Sequence, residues 1–237
     1  MTLEKILQSQ GFGTRKQCRQ LIWDELVSVA GRIITDADED LPCEGLPCEG
    51  LVFSVDGKEW TFRQQLYIGL HKPPGYECSR KPSHHPGILT LLPQQYVNRN
   101  IQPVGRLDHG TTGLLLLSDD GGFIHAQSSP KRHVSKTYEA TLFEAATPQL
   151  VAQLQEGVKL IDEDQPIAAQ VRMLDTHLLE LSIDQGKYHQ VKRMLVAAGN
   201  HCVSLRRSAI GKLTLDSLGL PMGQWCHLEP GQLAQLV

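Results

Sequence analysis

The chain has no apolar run approaching the ~18 residues that a membrane helix requires. Its opening stretch, MTLEKILQSQGFG, sets polar residues at every third or fourth place. Neither a membrane anchor nor a secretory signal is expected, which makes the cytoplasm the expected compartment. Cysteine is also sparse. Six residues (18, 43, 48, 78, 202 and 226) are scattered over 237, a usage that suits reduced thiols rather than a disulfide framework. Cys43 and Cys48 form C-x4-C inside a literal tandem repeat, LPCEGLPCEG. No second pair follows at zinc-ligand spacing, so no metal site is expected and the duplication reads as a tolerated loop insertion.

Net positive charge is lacking too: the formal value is −3, which at first argues against a polyanionic partner. The distribution argues otherwise. Residues 1–19, 61–143 and 185–212 are net positive, and acidic blocks separate them. Residues 185–212 hold six cations and no anion. A polyanion needs only one basic face, while acidic surface elsewhere limits nonspecific adhesion. At 41% hydrophobic and 21% charged residues, the chain reads as an ordinary globular protein with one or two cored domains.

The first 57 residues read as a small separate module. Leu3, Ile6 and Leu7 fall at helical spacing, Gly11 and Gly13 end that helix, and Thr14 is a natural N-cap for a second. Cys18, Leu21 and Ile22 give the second helix an apolar face, and Arg15, Lys16 and Arg19 form a basic stripe opposite that face. VSVAGRII then alternates and turns at Ala30-Gly31, and LVFSV is a further strand ended by Asp56-Gly57. Two short helices with a basic stripe followed by such a hairpin resemble the S4-like RNA-binding domain, which implies contact with structured RNA.

Residues 58–65, KEWTFRQQ, are polar and read as a linker. From residue 66 to 237 the expected class is α+β. Strands are predicted in LYIGLHK, GLLLLS, KTYEATLF, AAQVRML, HLLELSI and HCVSLRR, and helices at 121–128, 147–156 and 188–198. Runs of strands interrupted by a few helices favour a mixed, mainly antiparallel sheet over a doubly wound one.

Four segments of this second module belong together: HKPPGYECS, GRLDHGTTGLLLLSDDG, KTYEATL, and GKYHQVKRM followed by GNHCVSLRRSAIG. With the S4-like start they resemble the RsuA family of pseudouridine synthases over essentially the whole chain. KPxGYxCS, YHQVKRM and GNH are closest to the branch that modifies small-subunit (16S) ribosomal RNA. The resemblance implies a catalytic domain with a central cleft and a cofactor-free isomerase. It also implies rRNA as partner, naked or in a partly assembled small-subunit particle, and a monomer acting without a membrane.

The chemistry gives those residues physical sense. Uridine loses its C1′–N1 bond, its uracil turns while still bound, and it re-attaches through C5. A carboxylate near C1′ and C6, a dry pocket that retains the base and a group to receive the C5 proton are required. By resemblance Asp108 is the catalytic carboxylate, acting either covalently or by proton abstraction at the sugar. Tyr138 corresponds to the tyrosine stacking on the target uracil, its phenol a candidate for the C5 proton; on residues alone it also reads as an ordinary strand tyrosine. Lys192 corresponds to the cation that pairs with and orients the aspartate, and Leu205 is an apolar wall for the base.

A paired uridine must be flipped out to be reached. Arg106 is placed to brace the vacated stack, while Lys136, Arg193, Arg206 and Arg207 are expected to neutralise phosphates. The chain departs from the family at Gly110, where an acidic or amide residue is usual; the turn is then expected to be looser, or held by Thr111 and Thr112. His84, His85 and His109 read as surface histidines rather than metal ligands. Three other readings compete: the same chemistry on 23S rRNA, a non-catalytic RNA-binding or ribosome-assembly protein, and a glycosidase. The last needs a second carboxylate beside Asp108, and Asp119 and Asp120 belong at the far end of the leucine strand.

Overall fold

The protein was analysed as a computed structural model, which describes residues 1–41, 48–129 and 132–236. The chain divides into two units: residues 1–66 with 92–101, and residues 67–91 with 102–237.

The first unit contains helices α1 (Leu3–Ser9), α2 (Arg15–Trp23) and α3 (Gln94–Asn98). Among the described residues it has a four-stranded antiparallel sheet of β1 (Val27–Val29), β2 (Arg32–Ile33), β3 (Val52–Val55) and β4 (Lys58–Thr61), in the order β2-β1-β3-β4. Thr14 caps α2 in a reciprocal capping box with Gln17, as its position suggests. Both hairpins turn on paired positive-φ residues, Ala30-Gly31 and Asp56-Gly57, the geometry that matches strand twist. Leu3, Ile6, Leu7, Cys18, Ile22 and Phe53 meet in the core.

Two features of this unit differ from the sequence reading. Residues 58–65 are not a linker: Lys58–Thr61 pair with β3, and Phe62 is buried. A polar strand at a sheet edge looks like a loop in sequence because only Phe62 and one face of Trp60 gain from burial. Further along, residues 92–101 return to this unit. Asn98 Nδ2 donates to Gly11 O at 2.8 Å, and Arg99 donates to Gln10 Oε1, Arg63 O and Gln64 O. Gly11 admits this approach, since a Cβ there would lie 2.0 Å from Gln95 O.

The second unit is built on a nine-stranded sheet, counted among the described residues. Its strands are β5 (Tyr67–Lys72), β6 (Gln102–Val104), β7 (Thr112–Ser118), β8 (Lys136–Leu142), β9 (Gln170–Asp175), β10 (Leu178–Ile183), β11 (Cys202–Ile210), β12 (Leu213–Thr214) and β13 (Trp225–His227). The main path runs β13-β5-β7-β11-β8-β10-β9, with β6 on β7 and β12 on β11. Among these strands only β7 and β11 pair in parallel, so the sheet is mixed and mainly antiparallel, as expected. Helices α4 (Gly121–Ser128), α5 (Pro148–Glu156), α6 (Gln190–Ala197), α7 (Leu215–Leu218) and α8 (Pro230–Leu233) complete it.

Strand β7 anchors the unit. Leu114 to Leu117 are all buried, which is why the strand reads as an unbroken apolar run rather than an alternation. At its start, Gly113 (φ +108°) lies so close to β11 that a Cβ would sit 2.2 Å from Arg207 O. The backbone just after the Asp108 turn is thereby clamped to the strand carrying Leu205 and Arg207.

Cys18, Cys78, Cys202 and Cys226 are free thiols, as expected. Cys48 is disulfide-bonded, so the expectation of reduced thiols fails at that residue. Cys43 and most of the tandem repeat lie outside the described residues.

Candidate active site

The turn that carries Asp108 is held from below. Thr111 N–H donates to Asp108 O at 3.0 Å, and Gly75 N–H donates to His109 O at 2.8 Å. Lys72, fully buried, donates from Nζ to the carbonyls of Pro73 (3.0 Å), His109 (3.1 Å) and Thr111 (2.9 Å). Burial lowers its pKa, while Cys78 and the Asp108 charge act in the opposite sense. Gly110 therefore does not leave the turn loose. Backbone bonds and one buried ammonium supply the restraint expected of a side chain at that position.

The Asp108 carboxylate is bracketed by two residues of one helix. His189 Nε2 lies 3.2 Å from Oδ1, and Lys192 Nζ lies 3.5 Å from Oδ2. His189 is the N-cap of α6 in the left-handed region (φ 49°, ψ 31°), and its ring stacks on Tyr188 at 3.8 Å. Spacing of i, i+3 puts both side chains over the same turn. Left-handed backbone at a non-glycine residue is stored strain of the kind concentrated at functional sites. His189 is the residue the sequence reading missed. Its signal was available, since it precedes Lys192 by three residues at the mouth of a helix.

Asp108 borders a cavity of about 460 Å³ that Arg106, Tyr138, Leu205 and Lys136 also line. That size suits a small ligand or one extruded nucleoside. Tyr138 and Leu205 are buried on β8 and β11, and both line the cavity. Arg106 is exposed. Lys136 lines the cavity with Nζ on Val134 O at 2.8 Å; burial and the Arg207 charge lower its pKa, against Asp184.

The phosphate-binding expectation for Arg207 does not hold. Consecutive residues of a strand face opposite ways, so Arg206 points outward while Arg207 is buried at 2% exposure and lines the cavity. Arg206 pairs with Glu139 at 2.9 Å and Asp216 at 2.8 Å, and Arg193 pairs with Asp162. In the first unit, Arg15 lies 2.9 Å and Arg19 2.7 Å from the buried Glu4, Arg19 also meets Asp38, and Lys16 is exposed. The basic stripe is thus partly neutralised in the free protein.

Asp120 sits at the other end of β7, where it caps α4 and accepts from Tyr67 Oη at 2.8 Å. Seven strand residues at ~3.3 Å each put it roughly 20 Å or more from Asp108, too far for a pair of glycosidase carboxylates. Among the described residues, no three His, Cys, Asp or Glu side chains gather as a metal-holding group. His85 instead stacks on His109, with ring centroids 4.6 Å apart.

Comparison with known proteins matches residues 66–197 to the family model for RNA pseudouridylate synthase. The chain belongs to the RNA pseudouridylate synthases. It is 35% identical to ribosomal small subunit pseudouridine synthase A of Escherichia coli (strain K12), over 100% of both chains. It is 34% identical to the protein of that name from Vibrio cholerae, over 100% of this chain and 99% of the other. A crystal structure of a pseudouridylate synthase, 32% identical, superposes with a TM-score of 0.69 and full coverage of both chains. The protein is accordingly an isomerase of the pseudouridine synthase class.

Proposed function

We propose that this pseudouridine synthase converts one uridine of small-subunit (16S) ribosomal RNA to pseudouridine. It acts in the cytoplasm, as a monomer and without a cofactor, on the RNA or on a partly assembled small-subunit particle. Full-length relatives bearing the small-subunit name support the substrate. The observation that carries the mechanism is the Asp108 carboxylate, bracketed by His189 and Lys192 at a cavity lined by Tyr138 and Leu205.

In this reading the first unit is an S4-like module that grips folded RNA through Arg15, Lys16 and Arg19. Arg193 and Arg206 meet phosphates by exchanging their carboxylate partners for them. The target uridine is extruded, at a cost of a few kcal/mol in lost stacking, and Arg106 braces the gap. Tyr138 stacks on the base and Leu205 walls its other side. Asp108, held by the Lys72-supported turn and aimed by His189 and Lys192, acts at the sugar or at C6 while the freed uracil turns within the cavity.

The test is Asp108→Asn in the full-length protein, with pseudouridine in a 16S transcript as the readout. Product formation is expected to fall by at least about 10³-fold, with RNA affinity kept within a few-fold. If the Asp108→Asn variant still makes pseudouridine, Asp108 is removed from the chemistry.

A further inference from the structure

Four buried side-chain atoms of cavity-lining residues have no hydrogen-bond partner among the described residues: Arg207 Nη2, Thr111 Oγ1, Gln127 Oε1 and Gln185 Oε1. A buried unpaired polar atom is costly, and folded proteins rarely keep one without a use. Four around one cavity describe a ligand with both hydrogen-bond donors and acceptors. Arg207 is the most constrained of them. Its Nε donates to Leu114 O at 2.7 Å, which fixes the guanidinium, and it lies directly across the β11–β8 ladder from Tyr138. Leu205 is two residues earlier on the same strand and so faces the same way. Arg207, Tyr138 and Leu205 therefore line the cavity together, with the guanidinium tethered on the β7 side.

The reaction asks something unusual of such a donor. Uracil has an approximate two-fold axis through N3 and C6. Turning the ring about it exchanges N1 with C5 and the C2 carbonyl with the C4 carbonyl. A donor set beside one carbonyl finds another carbonyl in the same place after the turn. N3–H lies on the axis and never leaves its acceptor.

We infer that Arg207 is the specificity-determining residue for the base: Nη2–H donates to O4 of the bound uridine and, after the ring has turned, to O2. The amide oxygens of Gln127 and Gln185 supply the acceptors that N3–H requires. The same set rejects cytosine, whose N4 amine would oppose the Arg207 donor and whose N3 would face an amide oxygen. This inference rests on the pseudouridine reading above.

The experiment uses the full-length protein and a 16S transcript. The modified position is first mapped with the wild-type protein, then replaced by 4-thiouridine through splinted ligation. Sulfur is a weak acceptor, so wild type is expected to lose about tenfold in kcat on the thio substrate. Arg207→Met is expected to lose about tenfold or more on uridine, with no additional loss on 4-thiouridine and no change in the salt slope of RNA binding. Equal wild-type rates on the two substrates would overturn the inference, and this arm stands even where Arg207→Met does not fold. Independent, additive losses, or a salt slope reduced by one charge in Arg207→Met, would overturn it too, the latter returning Arg207 to a phosphate role. Absence of any pseudouridine from the wild-type reaction would instead sink the functional reading.

Discussion

Asp108 owes its position to residues that the sequence presents as unrelated. Lys72 is 36 positions earlier and reads as the polar end of a strand, yet its ammonium is what closes the turn. His189 reads as one more histidine until its left-handed backbone and its 3.2 Å approach to the carboxylate are seen. The residues carried by motif resemblance (Asp108, Tyr138, Lys192, Leu205) do converge on one cavity or its rim. The cations were harder to read, because charge in a sequence does not say whether the side chain faces water or already has a carboxylate. Arg206 and Arg207 are adjacent and alike, and only the phase of β11 separates an exterior ion pair from a buried donor.

A second carboxylate in this unit organises backbone. Glu77 accepts from the N–H groups of Ser83 (3.1 Å), His84 (2.9 Å) and His85 (3.0 Å), gathering the loop whose His85 stacks on His109 beside Asp108. The His84 and Ser83 amides, helped by His85, hold its pKa below the usual glutamate range. The folded value is depressed, so the stabilisation is complete above the unfolded value of ~4.3 and disappears as pH falls through the lower folded value. Amide protection factors at residues 83–85 are expected to be high at neutral pH and to collapse below about pH 4. In Glu77→Ala they should be low throughout. Protection unaffected by the substitution would assign the loop's order to other contacts.

At the level of elements, the second unit was well announced. The six strands and three helices expected from pattern all appear, with α4 at its expected residues and the others within a few positions. Long apolar or alternating runs bury enough surface to fix their own structure. The elements missed are short: β6, β12, β13, α7 and α8 here, with β4 and α3 in the first unit, have five residues or fewer, too few to bury enough surface to announce themselves. Gly113 shows how tightly one strand pairing is made. Gly113→Ala puts a methyl group 2.2 Å from Arg207 O at a positive φ, and the β7–β11 pair must separate. A cost of at least about 3 kcal/mol follows, or a fall in melting temperature of roughly 6–12 °C. Activity should fall further than stability alone explains, since β11 carries two walls of the cavity. A variant melting within ~2 °C of wild type would show that the strands can part freely.

For the whole molecule, the boundary between units is the lesson least visible in the sequence. A cut after residue 57 looks natural from turn signals, but it divides the β3–β4 ladder, takes Phe62 out of its core and removes Gln10 from Arg99. Deleting residues 1–57 is therefore expected to give poorly soluble protein. Deleting 1–65 and bridging Leu91 to Gln102 with a short Gly-Ser loop should give a soluble, cooperatively melting second unit. Equal soluble yields from both truncations would mean that the described division does not govern stability.

The return of residues 92–101 to the first unit also sets an order of events during synthesis. Chain emerges from the ribosome from the N-terminus, at roughly 5–20 residues per second. The opening unit is therefore left unfinished while the first strand of the next one is already outside, and it is completed only when Arg99 arrives to bond Gln10, Arg63 and Gln64. A protein proposed to act on nascent ribosomes thus depends, in its own biogenesis, on a latch delivered some thirty residues late.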